Sequence, residues 1–129
     1  MATIFSQIVK GDIPCYKVHE SDEFLAFLDI MPIKEGHVLV IPKLEVDYIF
    51  DIEDDILGRM MIFAKEVATK MKKAIECKRI GVTVIGLEVP HAHIHLIPID
   101  KLDDMNFAKE KLKLNSEDLK LIATRISNS

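Results

Sequence analysis

Cysteine is scarce in this chain. Cys15 and Cys77 are the only two, far apart and without metal-ligand spacing. That usage argues against a disulfide scaffold and fits free thiols in a reducing, cytoplasmic setting. Basic charge is scarce too: 17 Lys and Arg stand against 21 Asp and Glu, a net charge of -4. No basic stripe stands out, so the phosphate attraction that drives nucleic-acid binding is weak and no nucleic-acid partner is expected. A small phosphorylated ligand is still allowed, because local donors can hold one without a basic surface. No apolar run is long enough to span a bilayer, so no membrane partner is expected. The stretch Met1–Pro14 places Lys10 and Asp12 after a short apolar run and lacks the basic start and long apolar core of a secretion signal. No repeat, linker or low-complexity segment interrupts the sequence.

What is present suits one core. The chain has 129 residues, 49% of them hydrophobic and 29% charged in both signs. This is the size and balance of a single domain spanning 1–129. Ile4, Phe5 and Ile8 have helical spacing within residues 3–10, and Gly11 and Pro14 break the pattern. Strand-like runs follow over Cys15–His19 and Glu23–Ile30, then a β-branched run over His37–Ile41 that Pro42 ends. Asp51–Glu76 predicts a long helix, with Asp51 as N-cap and Ile52, Ile56, Met60, Phe63, Val67 and Met71 on one face. Arg79–Gly86 and His91–Ile97 predict two more strands. Asn115 or Ser116 caps a last helix whose Leu119, Ile122 and Ile126 face inward. Strands and helices do not alternate regularly, which points to an α+β fold with a mostly antiparallel sheet of about five strands. One long central helix, a short N-terminal helix and a C-terminal helix accompany it.

The chemistry concentrates in Pro90-His91-Ala92-His93-Ile94-His95-Leu96-Ile97-Pro98, which holds three of the five histidines. On a strand these side chains alternate, so His91, His93 and His95 share one face while Ala92, Ile94 and Leu96 point into the core. Neighbouring histidines in the row are roughly 7 Å apart at Cα, from about 3.3 Å of rise per residue. Three readings stand. The row could be a wet strand face, although several close imidazoles cost desolvation and mutual repulsion. It could bind a metal, with His37 joining two alternating histidines. Or a neutral imidazole could attack phosphorus while its neighbours fix its tautomer and donate to phosphate oxygens.

The run His91-Ala92-His93-Ile94-His95-Leu96-Ile97 resembles the histidine-triad (HIT) signature, in which histidines alternate with apolar residues. The resemblance extends, in family order, over Ile4-Phe5, Gly11-Asp12-Ile13-Pro14, Phe27-Leu28-Asp29-Ile30 and Gly36-His37-Val38-Leu39-Val40-Ile41-Pro42-Lys43. It covers nearly all of residues 1–98, leaving 99–129 as a C-terminal extension. It points to the nucleoside phosphoramidase, or protein-kinase-C-interacting-protein-like, branch. The resemblance implies a homodimer, with the long helix and a nearby strand at its interface. It implies a hydrolase that cleaves at the α-phosphorus of a nucleotide through a covalent intermediate on His93. His91 would orient His93, partly through its backbone carbonyl. His95 would bond the α-phosphate or the leaving group, and His37 would sit beside the triad. Asp29 resembles the carboxylate that binds ribose hydroxyls, with a turn carboxylate near Pro32 as the equal alternative. Ile4, Phe5, Ile8, Phe27, Ile30 and Leu39 resemble the apolar slot for the base, although such residues are often simply core.

The chain also departs from the family. Many bacterial members hold a structural zinc with two N-terminal cysteines, a histidine after the Ile-Pro-Lys segment and the first triad histidine. Those positions here are Thr3, Ser6 and Glu45, beside His91. Hydroxyls are poor zinc ligands beside thiolates, so no metal and no cofactor is expected. Upstream of the triad the family has Gly-Gln followed by Ser or Thr, whereas this chain has Gly86-Leu87-Glu88-Val89-Pro90. Leu87 cannot donate a hydrogen bond. Glu88 would repel phosphate if ionised and could serve as a general acid if protonated. A family asparagine near the start of this strand is replaced by Ile80. A purine nucleoside phosphoramidate is the expected substrate type. A dinucleoside polyphosphate hydrolase is the alternative enzyme, and a nucleotide-binding regulatory protein with weak turnover is the alternative of another class.

Overall fold

The computed structural model describes residues 3–129. Its elements run α1 (Ile4–Lys10), β1 (Lys17–Glu20), β2 (Phe24–Leu28), β3 (Val38–Pro42), α2 (Asp54–Ala74), β4 (Arg79–Thr83), β5 (Ile94–Ile99) and α3 (Ser116–Ser127). The strands form one five-stranded sheet in the order β1-β2-β3-β5-β4, and every neighbouring pair is antiparallel. This is the α+β architecture expected, with short, long and C-terminal helices.

Period-two alternation along the strands builds two apolar layers. Phe24, Ala26, Leu28, Val38, Val40, Ala92, Ile94 and Leu96 pack with α2 and α3 in the main core. Leu25, Phe27, Leu39 and Ile41 point the other way and gather around Phe5 of α1. Both faces of β2 and β3 are therefore covered, and all ten of their residues are buried. Each large side chain buried this way contributes about 1.5–3 kcal/mol before entropy is counted.

The helix ends have local causes. Thr3 caps α1 by accepting from the Ser6 N–H at 2.9 Å, and Gly11, with φ +85°, closes it in the left-handed region. Asn115 caps α3 by accepting from the Asp118 N–H at 2.8 Å. That helix sends Leu119, Ile122, Ala123 and Ile126 into the main core, so the segment beyond residue 98 closes the core rather than merely extending it.

α2 buries Met60, Phe63, Val67 and Met71 as its periodicity requires, but it starts later than expected. Asp51 ends a separate 3-10 turn over Ile49–Asp51, and Glu53 occupies the N-cap position without a side-chain cap bond. The cause is Ile52, whose extended backbone (φ -74°, ψ 134°) drops its side chain into the core. Asp54 and Asp55 then meet the positive end of the helix dipole.

Several strands are shorter than expected, β4 and β5 among them. β4 leaves the ladder after Thr83. β5 begins at Ile94, so His91 and His93 precede it. Ile94 pairs with Val40, and continuing that register would bring Ala92 opposite Pro42, which has no N–H to offer. The Ala92 N–H donates instead to the Val46 carbonyl at 2.6 Å. Among the described residues, no helix is long and apolar enough to cross a membrane.

Candidate active site

The alternation of the histidine run survives the shorter strand. Ala92, Ile94 and Leu96 lie in the main core, while His91 and His93 meet Phe5 on the opposite side. All three histidines are buried, and so is His37. A wet strand face is therefore ruled out.

Hydrogen bonds assign the ring protons. The Pro42 carbonyl can only accept, so His91 Nε2–H donates to it at 2.8 Å. His91 Nδ1 then accepts from the Thr3 hydroxyl at 2.9 Å. His93 Nδ1–H donates to the His91 carbonyl at 2.7 Å, so in the neutral ring Nε2 is the nitrogen that carries the lone pair. The Ile33 N–H donates to His37 Nδ1 at 3.4 Å, so His37 Nε2–H donates to His95 Nδ1 at 2.9 Å. The proton of neutral His95 therefore sits on Nε2. Burial, reinforced by the neighbouring histidines, pushes His37 down to about 3 and His95 to about 4. Burial pushes His91 down as well. Gly36, at φ +89°, sets the turn that delivers His37, and a side chain there would collide with Ile75.

A cavity of about 240 Å³ opens beside His93 and His95, lined also by Asp29, His37, Glu88 and Leu87. Asp29 Oδ1 accepts from the Met31 N–H at 2.9 Å, so it does close a local turn, yet its carboxylate also faces the cavity. Its Oδ2 lies 3.8 Å from His37 Nε2, and burial raises its pKa. Leu87 is 89% exposed and Glu88 is exposed beside it, so neither is walled into the protein. Ile80 packs toward the main core, away from this cavity.

The apolar candidates divide. Phe5, Phe27 and Leu39 form one buried cluster with half-buried Ile8, and the Phe5 ring stands edge-on to His93 at 5.0 Å between centroids. Ile4 and Ile30 are 50% and 59% exposed and do not join that cluster. Four cavity residues, Met31, Ile85, Phe107 and Lys111, escaped the sequence reading. Phe107 lies against His95, with ring centroids 4.9 Å apart, and Lys111 lines the cavity behind it. Phe107 and Lys111 belong to the irregular segment before α3, which has no periodicity to announce it. The Leu112 N–H ties that segment to the Pro32 carbonyl at 2.8 Å.

Thr3, Ser6, Glu45 and His91 do come together. Thr3 N–H donates to Glu45 Oε1 at 3.0 Å, and the Ser6 hydroxyl donates to the Thr3 carbonyl at 2.9 Å. The nearby Ser6 hydroxyl and the Thr3 N–H hold the Glu45 carboxyl below its usual range. The donor set offers no thiolate, and the His91 nitrogens are both engaged, so these four residues do not fit zinc. Asp29, His37 and His95 bring one ligand atom each within 4.8 Å of one another. There, the His37–His95 hydrogen bond already uses the facing nitrogens.

A family model described as HIT domain matches residues 10–102. An uncharacterized HIT-like protein of Borreliella burgdorferi is 35% identical over 132 residues, covering 96% of this chain and 95% of its own. The adenosine 5'-monophosphoramidase HNT1 of Saccharomyces cerevisiae is 41% identical over 98 residues, which cover 75% of this chain and 62% of that protein. The adenosine 5'-monophosphoramidase hnt1 of Schizosaccharomyces pombe is 39% identical, covering 76% of this chain and 74% of that one. Among solved structures, a Hit-like protein from Bartonella henselae superposes with a TM-score of 0.85 at 29% identity, covering 98% and 94% of the two chains.

Proposed function

Because the chain belongs to the HIT domain family, we propose that it is a nucleotide hydrolase acting at the α-phosphorus, with a purine nucleoside phosphoramidate as its substrate type. One observation carries this reading: His93 spends its Nδ1 proton on the His91 carbonyl, leaving Nε2 as the lone-pair nitrogen of the neutral ring beside the cavity of about 240 Å³. The two yeast relatives named as adenosine 5'-monophosphoramidases support the substrate type.

In the first step the Nε2 lone pair of His93 forms a bond to phosphorus. The P–N bond of the substrate breaks, and the amine leaves with its bonding pair and a solvent proton. The His91 carbonyl holds the Nδ1 proton throughout, so the positive charge of the nucleotidyl-histidine is met by a hydrogen bond. His95 Nε2–H donates to a non-bridging oxygen, with its own Nδ1 tied to His37. In the second step water attacks phosphorus, the P–Nε2 bond breaks, and a nucleoside monophosphate and a proton are released. Asp29 takes ribose hydroxyls, and the cluster of Phe5, Ile8, Phe27 and Leu39 backs the base.

The same reading includes a cytoplasmic homodimer. β4 is an edge strand, and exposed Val82, Val84 and Ile85 lie near exposed Tyr48, Phe50 and Met61 around one apolar cavity. A second copy would cover that face. Free Cys15 and Cys77 suit a reducing compartment. Leu87 and Glu88 favour the second reading, a regulatory nucleotide binder with weak turnover, since they line the cavity without offering phosphate a donor.

The test is His93→Ala, assayed with an adenosine phosphoramidate. Turnover should fall by orders of magnitude while nucleoside monophosphate is still bound. Mass spectrometry of quenched wild-type enzyme should place a nucleotidyl adduct on the peptide containing His93. An active His93→Ala enzyme, or an adduct on His91 or His95, overturns the mechanism. Binding without turnover in the wild type favours the regulatory reading.

A further inference from the structure

A substrate phosphate brings negative charge to a cavity that has little to meet it. His37 and His95 are buried and neutral, and the one ring N–H they leave free, on His95 Nε2, offers a hydrogen bond without charge. Glu88 and Asp29 add carboxylates to the lining, and Leu87 adds no donor. Among the described residues, Lys111 is the one lysine or arginine that lines this cavity.

Lys111 is held in place there. Its Nζ donates to the Phe107 carbonyl at 3.0 Å and lies 5.5 Å from the centre of the Phe107 ring. That ring in turn packs on His95 at 4.9 Å and on His37 at 6.0 Å between centroids. The ammonium is thus fixed to the wall that carries the histidines, and the Leu112–Pro32 backbone bond holds that wall to the loop before His37. Among the described residues no carboxylate lies within salt-bridge distance of Lys111. An ammonium has three N–H donors, and one is used. A lysine serving only as a solvated surface charge needs neither the carbonyl anchor nor the aromatic seat.

We propose that Lys111 is the phosphate-binding cation of this site, pairing with the non-bridging oxygens of the reacting phosphoryl group. The assignment rests on the nucleotide-hydrolase reading above. It gives the segment between β5 and α3 a task in substrate recognition, and it explains how the site tolerates Leu87 and Glu88. Selectivity follows: the site discriminates a phosphorylated nucleoside from the bare nucleoside chiefly through one side chain.

The experiment compares adenosine and AMP binding by calorimetry in the wild type, Lys111→Met, Lys111→Gln and Lys111→Arg. Charge-assisted bonds of this kind are worth about tenfold or more in affinity. Lys111→Met and Lys111→Gln should weaken AMP by about that factor, leave adenosine unchanged, and lose the salt dependence of AMP binding. Lys111→Arg should keep most of the affinity. Equal AMP affinity in wild type and both neutral variants overturns the assignment while leaving the hydrolase reading standing. A wild type that binds neither AMP nor adenosine overturns both. Kinetics locate the contact: if the neutral variants slow a dinucleoside polyphosphate but not an uncharged-amine phosphoramidate, Lys111 meets the leaving group and the assignment to the reacting phosphate falls.

Discussion

Lowering the pH from about 7 to about 5 loads a proton onto most histidines of an unfolded chain, whose ordinary pKa is about 6.5. In the folded protein His37 and His95 resist, because burial holds them at about 3 and about 4. The unfolded state therefore binds more protons than the folded one from about 6.5 down to those values. Stability must fall as pH falls through that window. At about pH 5 each histidine costs about 2 kcal/mol, and the two together about 4 kcal/mol. That is a large part of the roughly 5–15 kcal/mol by which domains are stable. His91, also pushed down by burial, adds to the loss. Asp29, raised by burial, takes its proton earlier in the fold and partly offsets it. Urea unfolding at fixed protein concentration, repeated at half-unit pH steps, reads the effect directly. Below about pH 6 the contribution of His37 and His95 to the slope should approach two protons per chain, about 2.7 kcal/mol per pH unit. His37→Asn removes one of the two titrating rings and should roughly halve that contribution, whatever it does to stability at neutral pH. A stability curve that is flat between about pH 7 and 5 would refute the neutral buried pair.

Thr3→Val removes the cap of α1 and leaves His91 Nδ1 without a donor. The expected loss is about 2 to 4 kcal/mol in chemical denaturation, with Thr3→Ser restoring most of it. A valine variant as stable as the wild type would show that the hydroxyl does not hold His91. Sedimentation at micromolar concentration should show twice the 14.7 kDa chain mass. Val82→Glu, on the exposed edge strand, should shift the protein to monomer, whereas a wild type that is already monomeric counts against the pairing.

Local patterns in the sequence account for much of this protein. Alternation over residues 91–97 put three histidines on one face and Ala92, Ile94 and Leu96 in the core, and the fold keeps that division even where the ladder has ended. The 3.6 periodicity of α2 and the capping chemistry of Asn115 are likewise properties of neighbouring residues. Helix starts were less legible. Asp51 has the composition of an N-cap, but the pull of Ile52 into the core decided against it, and that pull depends on strands distant in sequence. Thr3, Ser6 and Glu45 could be compared with a zinc site by position alone. That they join His91 in a closed hydrogen-bond network depends on how α1 docks.

The sequence by itself determined the chemistry of the row and the alternation that sorts it, because spacing along a strand or helix is set by backbone geometry within a few residues. Only the tertiary structure decided what surrounds that row. Phe107 and Lys111 follow the triad by more than ten residues in an irregular stretch, and they reach His95 because the chain folds back and ties Leu112 to Pro32. The proton positions on His91 and His95 likewise depend on partners at Thr3, Pro42 and His37, brought close by docking and strand pairing. Contacts of that range are chosen by the closing of the whole core, and no local period encodes them.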